Sequence, residues 1–114
     1  MGLAGAAPER AGARTAVPTT EGRRMTLEQL RVFVAVAERE HLTRAASSLN
    51  IAQSAVSATI AALETEFATR FFDRVGRGLR LTPGGAVLLD EARAVLRRAE
   101  EARKRLARFR EGNA

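Results

Sequence analysis

The sequence lacks cysteine, tryptophan and tyrosine, and it contains a single histidine, His41. Without cysteine the chain has neither a disulfide framework nor a thiolate metal site. One histidine is too few for a multi-histidine metal site or a pair of catalytic imidazoles. The longest apolar run, residues 32–37, is six residues long, whereas a membrane-spanning helix needs about 20. These absences predict a soluble protein of a reducing compartment, with no metal, no membrane span and no signal peptide.

Positive charge is abundant, and nearly all of it is arginine. The 114 residues include 19 Lys and Arg, of which only Lys104 is lysine, against 13 Asp and Glu, for a net charge of +6. Residues 25–74 hold five arginines against six acids, whereas residues 75–98 hold five arginines against two. A basic excess is compatible with a polyanionic partner such as nucleic acid. Its distribution directs the search for such a surface to the second half of the chain.

The chain opens with a segment that has little to bury. Residues 1–24 show no apolar periodicity, so we expect them to be unstructured. A second interpretation is that translation begins at Met25 and that the first 24 residues are an upstream extension. Thr26 is then a predicted N-cap, with Gln29 three residues later completing a capping box. The apolar spacing that follows predicts a first helix ending near Glu40.

Two further helices are predicted in close succession. The second runs from an N-cap at Thr43 to Leu49, with Asn50 in the left-handed conformation after it. Ile51 is predicted to be a buried anchor before a third, longer helix over residues 53–66. The predicted core positions of that third helix are Val56, Ile60, Leu63 and Phe67. Two helices joined by a tight turn form a helix-turn-helix.

A strand pair and a long helix complete the predicted fold. Residues 72–82 surround a Gly-Arg-Gly turn, which predicts a two-stranded wing with Arg77 at its tip. Thr82 followed by Pro83 predicts the start of a long helix that ends before Gly112. Apolar residues recur along it at spacings of four and three, as in a coiled-coil seam that pairs with a second chain. The predicted dimerisation residues are Leu88, Ala92, Val95, Ala99, Ala102, Leu106 and Phe109.

The outer face of the third helix is unusually small and uncharged for a solvent-exposed surface. It presents Ser54, Ser57 and Ala58, with Gln53 at its N-terminal end. Small side chains allow a helix to enter a major groove, where Gln and Ser can read base edges and contact phosphates. The alternative is that an alanine-rich sequence simply places alanine at its surface, and composition alone does not decide between them. The helix-turn-helix arrangement favours DNA.

Three more residues are candidate DNA contacts. Arg77 on a projecting turn can enter a narrow minor groove, although a solvated loop arginine is commoner. Thr43, at a helix start, is a candidate phosphate contact as well as a cap. Arg74 either binds phosphate or pairs with Asp73 or a helix-end carbonyl, and pairing is favoured. Since no nucleophile elbow, Walker-type loop or metal-ligand spacing occurs, the sequence predicts no enzyme activity and no cofactor.

Residues 27–85 resemble the N-terminal DNA-binding domain of LysR-type transcriptional regulators. The matching pieces, in order, are Leu30, Phe33 and Val36; Thr43 to Ala46 with Leu49; Gln53 to Ser57; Ile60 with Leu63 and Glu64; Phe72 to Arg74; and Leu81 to Pro83 with Gly85. The resemblance implies a winged helix-turn-helix with residues 53–66 as recognition helix and Arg77 in the minor groove. The residues implied to face the major groove are Gln53, Ser54 and Ser57.

The same resemblance implies an antiparallel dimer, or a tetramer in a full-length form, that binds interrupted palindromes and regulates transcription in the bacterial cytoplasm. The sequence departs from the family pattern at Ala52, often a capping Ser or Thr, and at Ala58, often an arginine or another long polar residue. Residues 68–69 replace a turn that often contains glycine. Among these 114 residues we expect no counterpart of the family's C-terminal effector-binding domain, and therefore no small-molecule site.

The predicted fold is therefore mainly α-helical, in three parts. An unstructured extension (1–24) precedes a winged helix-turn-helix of three helices and a two-stranded β wing (25–82), followed by a linker or dimerisation helix (83–111). The predicted function is sequence-specific binding of double-stranded DNA by a homodimer that regulates transcription. One alternative is another winged-helix regulator, such as the molybdate-responsive type. The other is an interaction module whose seam binds a protein partner.

Overall fold

The computed structural model describes residues 24–112, which form four helices and one two-stranded sheet. The elements are α1 (Leu27–Arg39), α2 (Leu42–Leu49), α3 (Gln53–Phe67), β1 (Phe72–Val75), β2 (Gly78–Leu81) and α4 (Pro83–Arg110). The predicted fold class is confirmed. The segment predicted to be unstructured lies outside the described residues, except for Arg24. Within those residues, no helix combines the length and the hydropathy that crossing a membrane requires.

α1 begins and ends as its sequence predicts. The Thr26 hydroxyl accepts a hydrogen bond from the Gln29 N–H at 3.1 Å, and the Gln29 side-chain oxygen accepts from the Thr26 N–H at 3.0 Å. This reciprocal capping box satisfies two N–H groups that the helix itself leaves unpaired. At the other end Glu40 adopts the left-handed conformation (φ 53°, ψ 32°) and stops the helix.

The start of α2 differs from the prediction. The helix begins at Leu42, and the N-cap is His41, whose Nδ1 accepts a hydrogen bond from the Arg44 N–H at 3.3 Å. The predicted cap at Thr43 is wrong because Thr43 lies inside the first turn, while the extended backbone of His41 (φ −158°, ψ 122°) occupies the cap position. Sequence rules favour threonine over histidine as a cap, which explains the error of two residues.

The turn between α2 and α3 is held by backbone rather than by a buried side chain. Asn50 is left-handed (φ 58°, ψ 44°), as predicted. The Ile51 N–H donates to the Ala46 carbonyl at 3.1 Å, in the pattern that closes a helix C-terminus. The Ile51 side chain is 38% exposed, so its predicted role as a buried anchor is wrong.

The core forms where α1 packs against α2, α3 and α4. Phe33 of α1 is fully buried, and its ring lies 5.6 Å from that of Phe71 and 5.2 Å from that of Phe72. Three of the four predicted core residues of α3 are buried: Val56, Ile60 and Leu63. The fourth, Phe67, lies in the last turn of α3 and is 43% exposed, so its predicted burial is wrong. Its ring centre lies 6.3 Å from that of Phe71, and both residues line a groove between α3 and α4.

The wing is an antiparallel pair with Phe72 opposite Leu81, and Arg77 lies in its two-residue turn, as predicted. Gly76 supplies the positive φ (59°) that this turn uses. Two contacts fix the wing to the helices. The Leu79 N–H donates to the Glu40 carbonyl at 2.9 Å. In addition, the Glu64 carboxylate of α3 accepts a hydrogen bond from the Phe71 N–H, just before β1, at 2.8 Å.

α4 starts under a tight steric constraint. The Thr82 hydroxyl caps it by accepting from the Gly85 N–H at 3.0 Å, and Pro83 is its first residue. Gly85 is buried, and a Cβ there would lie 2.3 Å from the Phe71 carbonyl oxygen and 2.6 Å from Leu81. Only glycine therefore allows α4 to approach the base of the wing so closely.

The predicted seam of α4 is divided between two environments. Leu88 and Ala92 are buried in the core of their own chain, against α1. Their predicted place in a dimer seam stays a prediction, and Leu88 also lines the groove between α3 and α4. At 28 residues α4 is about 42 Å long, and its second half extends beyond the core. Leu106 and Phe109 there are 68% and 69% exposed.

Candidate nucleic-acid interface

The N-terminal turn of α3 is open. Ala52 is its N-cap and makes no side-chain hydrogen bond to the helix, as the departure from a capping Ser or Thr predicts. The first N–H groups of a helix lack intrahelical partners and carry partial positive charge. Gln53, Ser54 and Ala58 are exposed around this end, whereas Ser57 is half-buried. This end of α3 can therefore accept a polar or anionic group.

The first turns of α2 and α3 are joined by a side-chain contact. Thr43 Oγ1 donates a hydrogen bond to Gln53 Oε1 at 2.7 Å, and both residues are exposed. Thr43 therefore contacts a neighbouring side chain instead of capping its own helix. The contact places two predicted site residues from different helices on one surface.

A small cleft collects most of the predicted site. Its volume is about 60 Å³, and it lies between the helix starts and the wing. Its lining residues are His41, Leu42, Thr43, Gln53, Arg74, Arg77 and Leu79. Four of the seven residues predicted from sequence to contact DNA thus share one cleft, although they come from three separate parts of the chain. Such convergence of polar and cationic groups is what a binding surface for an anionic polymer requires.

The remaining predicted residues divide between a second groove and the outer face. Ser57 and Arg74 line a neighbouring groove of about 210 Å³ along α3, together with Arg70 and Glu64. Ser54 and Ala58 line neither the cleft nor this groove and stand exposed on the outer face of α3. The predicted residues are therefore distributed over the cleft, the groove along α3 and the exposed outer face of α3.

The wing arginines are not neutralised by their neighbours. Among residues 24–112, no carboxylate oxygen lies within 4.0 Å of a guanidinium nitrogen of Arg44, Arg74 or Arg77. The pairing of Arg74 with Asp73, favoured from sequence, does not form because adjacent residues of a strand point to opposite faces. On the far side of the molecule the situation differs, since Arg93 of α4 pairs with Glu38 of α1 at 3.3 Å.

Sequence reasoning missed three residues of this surface. His41 lines the cleft, Arg44 lies beside it in a depression shared with Arg80, and Arg70 lines the groove along α3. Each was overlooked because it lies in or beside a turn, where no periodicity marks its direction. The available signal for Arg44 was its place next to Thr43 in the first turn of a helix, where an arginine side chain can extend past the helix end.

A second surface lies between α3 and α4 and is mostly apolar. A groove of about 370 Å³ separates the end of α3 from the start of α4. It is lined by Phe67, Thr69, Phe71, Gly84, Val87, Leu88 and Glu91. The exposed Leu106 and Phe109 lie at the other end of α4. The chain thus carries apolar surface at both ends of one long helix.

A family model and similar proteins point to the same family of proteins. The family model for the bacterial regulatory helix-turn-helix protein, lysR family, matches residues 27–86. The chain is 44% identical over 82 residues to an HTH-type transcriptional regulator of the ibpB–leuC intergenic region of Azotobacter vinelandii, covering 72% of this chain and 57% of that one. It is 48% identical over 71 residues to a probable hydrogen peroxide-inducible genes activator of Mycobacterium xenopi, covering 62% and 38%. The chain therefore spans 57% and 38% of the lengths of these two relatives.

Solved structures match the same region. The BenM DNA-binding domain, in a complex with catB site 1 DNA, superposes with a TM-score of 0.75 at 33% identity, covering 79% of this chain and 97% of that chain. The CbnR DNA-binding domain, also in a DNA complex, superposes with a TM-score of 0.70 at 32% identity, covering 73% and 95%. At these identities and scores the likeness extends to sequence as well as to fold.

Proposed function

Because the chain belongs to the LysR family of bacterial regulatory helix-turn-helix proteins, we propose that it binds double-stranded DNA with sequence specificity and regulates transcription in the bacterial cytoplasm. In this proposal residues 25–82 form the DNA-binding domain, with α3 as recognition helix and β1–β2 as wing. Residues 83–111 form the linker that joins two copies. The observation that carries the proposal is the shared cleft of Thr43, Gln53, Arg74 and Arg77.

The outer face of α3 fits a major groove. A major groove about 12 Å wide admits an α-helix, and closer approach is possible when the facing side chains are small. Ser54 and Ala58 are small and exposed, so they allow the backbone of α3 to approach the bases closely. Gln53 at the N-terminal end of α3 is long enough to reach a base edge. The open first turn of α3 supplies N–H groups to a phosphate.

The wing supplies positive charge, which α3 lacks. Arg77 occupies the two-residue turn and can enter the narrow, electronegative minor groove beside the major groove that α3 occupies. Arg74 and Arg44 lie closer to the helices and act on phosphates. Each phosphate contact releases condensed counterions, so affinity falls as salt rises.

The second half of α4 supports dimerisation. Leu106 and Phe109 are too exposed for a helix end that remains in water, and pairing with a second copy buries them. Val95, Ala99 and Ala102 complete the seam between these residues and the core.

An antiparallel arrangement of two α4 helices best matches the charges and the apolar groove. In a pair centred near Arg97, Asp90 and Glu91 of each chain lie opposite the basic residues 103–105 of the other. The end of each α4, with Phe109, then lies near the partner's apolar groove beside Val87. A parallel pair would instead bring equal charges together. Two recognition helices on one dimer read two half-sites in successive major grooves, about 34 Å apart, on one face of the duplex.

DNA binding is tested by fluorescence anisotropy with a labelled duplex from the region beside the chain's own gene and with a scrambled duplex of equal length. We expect tighter binding to the native duplex and a linear fall of log K with log salt concentration. Equal affinity for both duplexes, or affinity independent of salt, would contradict sequence-specific recognition. A dimer that ignores all DNA would support the interaction-module alternative.

Dimerisation is tested by light scattering on the double variant Leu106→Glu/Phe109→Glu. The unmodified chain of 12.3 kDa should elute at twice that mass, and the double variant at the monomer mass with unchanged helix content. Arg31→Glu is the matched control, since it makes the same change of net charge at an exposed residue of α1, outside the proposed seam. A double variant that stays dimeric would show that the seam lies elsewhere.

A further inference from the structure

The hydrogen bond between Thr43 and Gln53 commits a threonine hydroxyl to the first residue of α3. A hydroxyl has one hydrogen to donate, and Thr43 Oγ1 directs it to Gln53 Oε1 at 2.7 Å. The hydroxyl is available for this contact because His41, not Thr43, caps α2. Both side chains are exposed beside the cleft that holds Arg74 and Arg77, so the pair stands at the proposed DNA surface.

This contact distinguishes the two ends of the Gln53 carboxamide. A glutamine amide has an oxygen that accepts hydrogen bonds and an NH₂ group that donates two. Thr43 donates to one of the two lone pairs of the oxygen and thereby orients that end of the amide toward α2. Over residues 24–112, no group accepts a hydrogen bond from Gln53 Nε2. The donor end of the amide is therefore the end left for an external ligand.

Base edges differ in the hydrogen-bond acceptors that they offer to this NH₂ group. Adenine presents an acceptor, N7, beside a donor, N6, and a glutamine satisfies both only if its own oxygen faces the base. Guanine presents two acceptors, N7 and O6, and thymine presents O4. Cytosine presents only a donor, N4. An amide that points its NH₂ outward and its oxygen toward Thr43 therefore matches guanine or thymine, whereas it leaves the amino group of adenine or cytosine without an acceptor, which is costly at an interface without water.

We propose that Thr43 is a positioning residue for base selection: by holding Gln53 Oε1, it presents the amide NH₂ to the major groove and makes α3 select a base with an exposed acceptor, guanine or thymine, in preference to adenine or cytosine. The inference rests on the proposed DNA-binding function and deepens it. It assigns Thr43 an action through Gln53, distinct from the direct phosphate contact predicted from its sequence position.

The test is a selection of binding sites from a library of randomised DNA duplexes. Four forms of the full chain are compared in parallel. The wild type defines the preferred site, and Gln53→Ala identifies the position at which preference depends on Gln53. Thr43→Val removes the hydroxyl at nearly constant shape, and Thr43→Ser restores it. We expect guanine or thymine at the Gln53-dependent position, about a tenfold decrease of their preference over adenine in Thr43→Val, and recovery of that preference in Thr43→Ser. Circular dichroism verifies that all four proteins are equally helical.

Several outcomes would overturn the inference. Selection of adenine or cytosine by the wild type at that position would show that the amide oxygen faces the base. An unchanged preference in Thr43→Val would show that the threonine does not position the amide, and so would a specific site with no Gln53-dependent position. Each of these leaves the proposed function standing. Failure of the wild type to enrich any sequence would overturn the proposed function together with the inference.

Discussion

The proposed recognition helix and the wing face the same cleft with opposite chemistry. α3 carries no charged residue from 53 to 63, and its outer face is small and neutral. The wing carries Arg74, Arg77 and Arg80 within seven residues. Attraction between arginine and phosphate does not depend on sequence, whereas hydrogen bonds to base edges do. The difference indicates that affinity and discrimination reside on separate elements, which the helical core holds at a fixed distance.

The strongest way to break this arrangement is to separate the wing from the core. Gly85→Ala places a Cβ against the Leu81 side chain and the Phe71 carbonyl oxygen, and the carbonyl is backbone that cannot withdraw without a shift of the chain at the base of the wing. Overpacking against backbone costs about 3 kcal/mol of unfolding free energy. Urea denaturation followed by circular dichroism at fixed protein concentration measures it.

Gly84→Ala is the matched control for that variant. The nearest atom to its added Cβ, at 2.8 Å, is a methyl carbon at the end of the Thr69 side chain, which can rotate away. We expect a clearly smaller loss of stability than for Gly85→Ala. Equal losses would show that the close approach of α4 to the wing is not what constrains this turn.

Removing the wing charges should lower affinity without changing discrimination. In Arg74→Ala/Arg80→Ala, which leaves the proposed minor-groove residue Arg77 in place, we expect roughly tenfold weaker binding per arginine at low salt, on native and scrambled duplexes alike. The slope of log K against log salt should become shallower by about 2. Arg31→Ala is the control, because Arg31 is an exposed arginine of α1 paired with Glu28, away from the cleft. A loss confined to the native duplex would place sequence reading on the wing.

Removing the Gln53 amide should do the reverse. Gln53→Ala should reduce the preference for native over scrambled duplex by about tenfold, since one good base contact contributes about 1–3 kcal/mol of discrimination. The salt slope should not change, because no charge is removed. Ser47→Ala, at an exposed position of α2 that lines neither the cleft nor the groove along α3, serves as control. Anisotropy titrations on both duplexes measure the ratio, and an unchanged ratio would remove Gln53 from the reading surface.

The smallest expected effect concerns the missing cap of α3. Ala52→Ser supplies a hydroxyl that can accept from an unpaired N–H of the first turn, which should raise stability by about 1 kcal/mol. The added cap also competes for the N–H groups proposed to meet phosphate. We therefore expect higher stability in urea denaturation together with equal or slightly weaker DNA affinity. A gain in affinity would contradict the phosphate role of this helix end.

The sequence predicts well the features that periodicity and cap chemistry control. The capping box of Thr26 and Gln29, the left-handed Asn50, the wing with Arg77 in its turn and the start of the long helix at Thr82 all follow from local residue patterns. Local rules suffice there because each feature is stabilised by residues within a few positions of it.

What the sequence does not predict depends on contacts between distant segments. His41 replaces Thr43 as the α2 cap, and the freed hydroxyl meets Gln53 ten residues later. Gly85 matters because the carbonyl of Phe71 lies against it. Leu88 and Ala92 are buried because α1 packs against α4. The spacing of apolar residues within α4 does not reveal that contact. Convergence of the candidate site residues in one cleft likewise arises from the packing of three segments.

The most direct test of this separation is a salt titration of affinity for native and scrambled duplexes with the wild type, Gln53→Ala and Arg74→Ala/Arg80→Ala side by side. The account predicts that Gln53→Ala lowers the ratio of the two affinities at every salt concentration and keeps the wild-type slope. It predicts that the arginine variant keeps the ratio and has a shallower slope. If both variants lower the ratio and the slope together, affinity and discrimination are not separated between α3 and the wing, and the account is wrong.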